Sequence, residues 1–350
     1  MNENKNIILT VDYHLKNIEV RRLNCATGEE RTFRFSTERK AIVALLDRSC
    51  KEAVACGGQV VWIMESTTGW ARIQELIQDR GAFVLCNVLQ MPLPPKAHRR
   101  KTDKIDTARM QREYLNGEMP LAYQPPRWLR ELRRVVAIRE DLVERRTQVR
   151  NWITSYFSHE TWEETKGLWT KAGRIRLELL AKAAGVLDGF CLAMRIAEHD
   201  HVEELIRQVE GKMMELYKQC PQAIALDKVR GIGPISALCI WARIGPAKRF
   251  NNAEQLIAYT GLAPGVRTSD DTRRNGRIGG GGTDVLLRRM VVEASIWARQ
   301  IPRYVPTYQR VLAKRGKKVA RLVVSRLLLR GIYKVLRDGL EFNPVGTAAA

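Results

Sequence analysis

The apolar pattern of this chain changes its period near Trp128, which limits the fold to a mixed strand-and-helix unit followed by helices. Before that point, short apolar runs alternate with helical stripes. Ile7, Ile8, Leu9 and Val11 read as a buried strand. Ile18, Val20 and Arg22 alternate with Glu19, Arg21 and Leu23, and Thr32–Phe35 follows the turn-like Thr27–Gly28, so these three runs predict an antiparallel meander. Ile42, Leu45, Leu46, Cys50 and Val54 then mark a helix opened near Thr37 and closed at Gly57–Gly58. Strands over 59–64 and 82–88 and helices over 69–80 and 103–115 complete the order β-β-β-α-β-α-β-α.

From Trp128 onward, Leu129, Val136 and Val143 recur every seven residues, as do Val135, Leu142 and Val149. Val202, Leu205, Val209, Met213 and Leu216 form a second stripe. The two stripes predict coiled-coil packing, either with each other or with another copy. Val229–Pro234 reads as a turn between helices, followed by an apolar helix over 235–244. The segment 304–339 is a basic helix carrying Lys314, Arg315, Lys317, Lys318, Arg321, Arg326 and Arg330.

Over 350 residues, 59 Lys and Arg stand against 38 Asp and Glu, a net charge of +21. A folded chain with that surplus attracts polyanions, nucleic acid first and an anionic membrane second. Its seven cysteines are scattered without C-x-x-C pairs, which fits reduced, mostly buried thiols better than a zinc site or a disulfide framework. The polar start and the short apolar stretches predict a soluble cytoplasmic protein with no membrane span.

Four acidic residues stand where the expected sheet would gather them. Asp12 ends the first strand, Glu65 follows the strand over 60–64, and Asp103 and Asp106 share the first turn of a helix. Converging carboxylates suit Mg²⁺ (or Mn²⁺) in phosphoryl chemistry, because hard cations prefer oxygen ligands. Each residue also has an ordinary reading. Asp103 can cap its helix, Asp106 can favour the helix dipole, Asp12 can belong to a turn before His14, and Glu65 can be a solvated strand end. The four together, in ribonuclease-H-like order, favour the metal reading.

Three blocks carry a resemblance: Val11-Asp-Tyr-His-Leu-Lys16, Met64-Glu-Ser-Thr-Thr-Gly69 and Lys101-Thr-Asp-Lys-Ile-Asp-Thr-Ala108. They resemble the acidic motifs of the insertion-sequence 110/1111 transposases, whose DEDD-type domain is similar to the Holliday-junction resolvase RuvC. The resemblance implies that Asp12, Glu65, Asp103 and Asp106 bind metal; Lys16 and Lys101 beside them are candidate nucleic-acid contacts, with a solvated lysine as the equal alternative.

Gly231-Ile-Gly-Pro234, Tyr259–Pro264 and Arg273-Arg-Asn-Gly-Arg-Ile278 look like the carboxy-terminal domain of the same family. There a serine between the last two blocks forms a covalent phosphoserine, and position by position it falls on Ser269. Around it, Arg267, Arg273, Arg274 and Arg277 sit in what reads as a polar loop and suit phosphate binding. Gly231 and Gly233 resemble a helix-hairpin-helix turn that offers backbone N–H groups to a phosphate, with a plain tight connection as the alternative. Where the family carries a Lys-x-Gly-Asn-like stretch, this chain has Gly279-Gly-Gly-Gly-Thr-Asp284, which predicts a mobile loop with one phosphate contact fewer.

The expected fold class is therefore α/β plus all-α in three parts. Residues 1–122 form a ribonuclease-H-like (RuvC-like) mixed-sheet domain, 123–220 a coiled-coil helical region, and 221–340 a mostly helical transposase domain. The resemblance implies donor and target DNA, a structured guide RNA and a homo-oligomer (dimer or tetramer) as partners. A junction-resolving nuclease that uses the carboxylates alone, and a non-catalytic nucleic-acid-binding protein, are the alternatives.

Overall fold

The computed structural model describes residues 5–14, 16–92, 103–161, 163–263, 266–269, 272–275, 279, 283–339 and 341–344; of 103–105, 266–269 and 272–275 it describes the backbone. The chain divides into two units, Met1–Gln124 and Pro125–Ala350.

In the first unit, β1 (Ile7–Tyr13), β2 (Asn17–Asn24), β3 (Glu30–Ser36), β4 (Val60–Glu65) and β5 (Gly81–Cys86) form one sheet in the order β3-β2-β1-β4-β5. β1–β2 and β2–β3 are antiparallel, as the meander predicts, whereas β1–β4 and β4–β5 are parallel. The connections into β4 and β5 run through α1 (Arg39–Cys56) and α2 (Trp70–Ile77), and α3 (Asp103–Leu115) follows.

Alternation along the strands feeds two cores. Leu9, Val11, Trp62 and Met64 point to the side of Ile42, Leu46, Ile73 and Ile77 from α1 and α2. Ile8, Val61, Ile63 and Cys86 point to the other side, against Met110 of α3. With both faces covered, β1 and β4 read in sequence as nearly continuous apolar runs.

The second unit is mostly helical. Its helices are α4 (Arg127–Glu160), α5 (Lys171–Ala183), α6 (Val186–Lys218), α7 (Pro221–Asp227), α8 (Pro234–Ile244), α9 (Ala253–Tyr259), α10 (Val285–Ala298) and α11 (Val305–Asp338). α4 and α6 pair with each other in antiparallel fashion. Arg139 meets Glu210 at 2.8 Å and Arg150 meets Glu203 at 2.7 Å, so the partner on α6 falls back as the position on α4 advances. Val149, Ile153 and Phe157 pack with Leu192 and Ile196 beneath those ion pairs.

Between α9 and α10 the chain forms a β-ribbon of β6 (Val266–Ser269) and β7 (Thr272–Asn275), where the sequence read as a loop. Arginine-rich polar runs lack the apolar alternation that marks a strand. α11 bends at Gly316, whose backbone is non-helical, among the exposed Lys314, Arg315, Lys317 and Lys318. All seven cysteines are free; Cys86 and Cys239 are buried, Cys191 is exposed and the other four lie between, so fewer are buried than expected. Among the described residues no helix is long and apolar enough to cross a membrane.

Candidate active site

The parallel register of β1 and β4 ends at Val11 opposite Met64. One step further, Asp12 and Glu65 stand beside each other at the carboxyl ends of neighbouring strands, about 5 Å apart in backbone spacing. Both follow the alternation of Ile8 and Ile63, so both lie on the α3 side of the sheet. Asp12 is 14% exposed, and its Oδ2 lies 3.5 Å from Nε2 of His14.

The direction of α3 brings the other two acids to the same end. Gln111 donates to Glu30 Oε1 at 2.6 Å; Glu30 pairs with Leu23, and Leu23 with Ile8 near the start of β1. Thr107 and Met110 are buried, so α3 lies back along the sheet. The eight residues from Gln111 to Asp103 rise about 12 Å in a helix, and the four from Ile8 to Asp12 span about 13 Å in a strand. The first turn of α3, bearing Asp103 and Asp106, thus reaches the level of Asp12 and Glu65.

An all-oxygen donor set of this kind fits a hard divalent cation. Among the described residues, which include the Asp12, Glu65 and Asp106 side chains, no group of three or more His, Cys, Asp and Glu is drawn together as a metal site; the Asp103 side chain lies outside that description.

Sequence reasoning missed three further groups on this face of the sheet. Glu19 pairs with Asp12 across β2, is 9% exposed, and has an Oε1 with no hydrogen-bond partner. Its position between Ile18 and Val20 was the available signal, since strand alternation sets it on the face opposite those two. Arg109 and the buried Glu113 lie within electrostatic reach of Cys86, the register partner of Glu65. Burial pushes the Cys86 thiol up to about 11; Glu65 and Glu113 add to the rise and Arg109 opposes it. Positions 106, 109/110 and 113 form one helical stripe, which was the signal for Arg109 and Glu113.

Ser269 ends β6, paired with Thr272, while Arg267 pairs with Arg274 and Thr268 with Arg273. By register, Arg267, Ser269, Thr272 and Arg274 fall on one face of the ribbon. Arg273, paired with Thr268, takes the alternate register position. Lys16 is exposed in the turn after β1. Lys101, Arg277 and Gly280–Gly282 lie outside the described residues.

Gly231 and Gly233 play different parts. Gly231 has φ 94°, and a Cβ there would meet the Ala294 carbonyl oxygen at 2.6 Å, so only glycine permits this approach to α10. Gly233 is exposed and caps α8 ahead of Pro234, with open space around it. The turn is thus a tight connection at Gly231 and an accessible helix start at Gly233.

Below the ribbon, Asp284 is buried and caps α10 through Leu287 N at 2.9 Å. Its other oxygen accepts from Arg243 Nε at 2.7 Å and Tyr259 OH at 3.1 Å.

Two family models match the chain. The DEDD model of IS110 elements, described as "Transposase", covers residues 9–159, from β1 into α4. The model described as "Transposase IS116/IS110/IS902 family" covers residues 223–309, from α7 into α11. The chain is 24% identical to the protein y4qE of Sinorhizobium fredii, over 79% of this chain and 68% of that protein. It is 22% identical to the transposase for insertion sequence element IS1111A of Coxiella burnetii, over 75% of this chain and 68% of that one. A shorter match to the IS110 43.6 kDa protein of Streptomyces coelicolor, 29% identical, covers 43% of this chain and 38% of that protein. With residues 9–159 matched by one transposase model, 223–309 by another, and relatives from both the IS110 and IS1111 elements, the chain belongs to the IS110/IS116 family of insertion-sequence transposases.

Proposed function

We propose that this chain cuts and exchanges DNA strands for an insertion sequence through a covalent phosphoserine intermediate. The observation that carries this reading is the placement of Asp12 and Glu65 at adjacent parallel strand ends, with the first turn of α3 on the same face. The strand order supports a ribonuclease-H-like, RuvC-like catalytic domain over 1–122. A coiled-coil region over 123–220 and a transposase domain over 221–340 complete the functional layout.

Asp12, Glu65, Asp103 and Asp106 would hold Mg²⁺ or Mn²⁺, which when bound supplies charge neutralisation at a phosphate. Ser269 acts as the nucleophile. Its Oγ bonds to phosphorus as the bond from phosphorus to a deoxyribose oxygen breaks; the serine gives up its proton, and the departing oxygen takes one up as a hydroxyl. One phosphoester replaces another, so rejoining requires no ATP. Arg267, Arg273, Arg274 and Arg277 hold phosphate oxygens along the bound strand, with Lys16 and Lys101 near the carboxylates. The Gly231–Gly233 turn adds backbone N–H groups at the start of α8.

The partners are donor and target DNA in the bacterial cytoplasm, and a structured guide RNA that pairs with both. The exposed cations around Gly316 of α11 suit an RNA backbone. A second copy fits the end of the α5–α6 pair. Ile175, Leu179, Leu187, Phe190 and Met194 are exposed there, and residues 163–200 hold six acidic and six basic side chains in an otherwise basic chain.

The test is adduct trapping. Labelled donor DNA, the element's RNA and Mg²⁺ are incubated with the protein, which is then denatured and run on a gel. A shifted band that Ser269→Ala and Asp12→Ala each abolish is the expected result. Metal-dependent cleavage that persists in Ser269→Ala without an adduct makes the protein a junction-type nuclease instead. Binding with no strand cleavage by any form makes it a non-catalytic nucleic-acid binder.

A further inference from the structure

The neck of the β6–β7 ribbon holds a guanidinium nitrogen with no partner among the described residues. Arg288 lies on the first turns of α10, and its Nη1 is buried without a hydrogen-bond partner. Among the described residues no hydrogen bond or ion pair from this side chain is found. Its natural partner, Asp284, four residues earlier on the same helix, is committed elsewhere. One Asp284 oxygen serves Leu287 N, and the other serves Arg243 and Tyr259.

The backbone has made room for the group. Gly261 and Gly279, one before and one after the ribbon, are joined by Gly279 N donating to Gly261 O at 2.9 Å. Both have positive φ, and a Cβ on either would come within 2.9 and 2.5 Å of Arg288 Nη1, respectively. A second guanidinium approaches the same turn: Arg326 Nε donates to Leu262 O at 2.8 Å. Burial and the nearby Arg330 lower the pKa of Arg326, against the pull of Glu254. The charge gathered here is therefore positive, and among the described residues Arg288 has no neutralising partner.

We infer that Arg288, with Arg326 beside it, forms a binding site for a backbone phosphate of the DNA strand, at the neck of the ribbon that carries Ser269. An anion supplies what this half-buried guanidinium lacks: acceptor oxygens in a matching plane and a compensating charge. The site is distinct from the bond to be cut. Four paired residues on each strand, at about 3.3 Å each, place the Ser269–Thr272 end of the ribbon roughly 10 Å or more from its neck. The site thus anchors the strand and leaves the reacting phosphate to Ser269.

The inference rests on the transposase reading, and the experiment separates the two. Salt-dependent binding of a labelled donor-end DNA duplex is measured for the full chain, for Arg288→Met and for Arg288→Lys, with thermal melting of each protein alongside. Arg288→Met is expected to bind DNA about tenfold or more weakly at 0.15 M salt, and to lower the log–log salt slope by about one. Its melting midpoint is expected to hold or rise, because the variant removes a buried donor that has no internal partner. Arg288→Lys keeps most of the slope, since one cation remains. An unchanged slope and affinity in Arg288→Met overturns the site, as does a fall in melting midpoint without a binding change, which marks a packing role. A loss seen with a single-stranded RNA probe and absent with DNA also overturns it. A wild-type chain that binds no DNA at all overturns the transposase reading itself.

Discussion

Replacing Asp284 with alanine removes three interactions at once, and the cost can be worked from the structure. Its carboxylate caps α10, accepts from Arg243 Nε at 2.7 Å and accepts from Tyr259 OH at 3.1 Å, with 1% of the side chain exposed. Loss of a helix cap costs about 1 kcal/mol. Breaking a buried ion pair by deleting one partner costs about 3–5 kcal/mol, because the remaining charge is left uncompensated. The Arg243 side chain is 30% exposed, so water recovers part of that second cost. The three contacts share one carboxylate and do not add independently, which sets the expected loss near 4 kcal/mol. Urea unfolding followed by tryptophan fluorescence reads it. With an m-value of about 2–3 kcal/mol/M for a unit of this size, the midpoint of the second unit should fall by about 1.5 M. Asp284→Asn keeps the acceptor oxygen and should lose less. A loss below about 1 kcal/mol in Asp284→Ala refutes the argument, since the carboxylate would then not be the buried hub described.

Two further outcomes follow from single contacts. Gly231→Ala combines a positive φ with a Cβ that would meet Ala294 O at 2.6 Å. It should destabilise by about 2–3 kcal/mol and lower the melting midpoint by about 5–10 °C, and an unchanged midpoint would count against the tight approach to α10. His199 accepts from Arg150 Nε at 3.0 Å and lies 3.3 Å from Asp200. Burial lowers its pKa below the usual 6.5, outweighing the hydrogen bond to Asp200. The unfolded chain then takes up the proton more readily. This contribution to stability is full above about pH 6.5 and is lost as pH falls through the lowered folded value. Urea midpoints at pH 7.5 and pH 5.5 should differ less in His199→Gln than in the wild type, and equal differences would show that His199 is not the group responsible.

Much of the first unit was legible because β1 and β4 are buried on both faces and its helices on one. The runs at 7–13 and 60–65 and the helix at 103–115 stand where their periods put them. Asp12 and Glu65 were legible as strand ends. Glu19 was not, because alternation alone does not say that α3 covers its face. In the second unit, α5 and the first turns of α6 escaped notice because their apolar residues, Ile175, Leu187 and Phe190, are exposed and form no core stripe. The Arg288 site was equally hidden, since an arginine on a helix reads as solvated until its neighbours are placed.

What the sequence determined by itself is local: which segments bury one face or two, where helices start and stop, and which residue types recur in the acidic and serine motifs. The tertiary structure decided three further things. The parallel pairing of β1 with β4 sets Asp12 beside Glu65, though 53 positions separate them in the chain. The descending ion pairs join α4 to α6 of the same chain, an alternative the heptads left open. The glycines on either side of the ribbon close on the half-buried Arg288, whose Nη1 has no hydrogen-bond partner among the described residues. Each depends on contacts between residues far apart in sequence, and a periodic pattern records that a face is covered without recording what covers it.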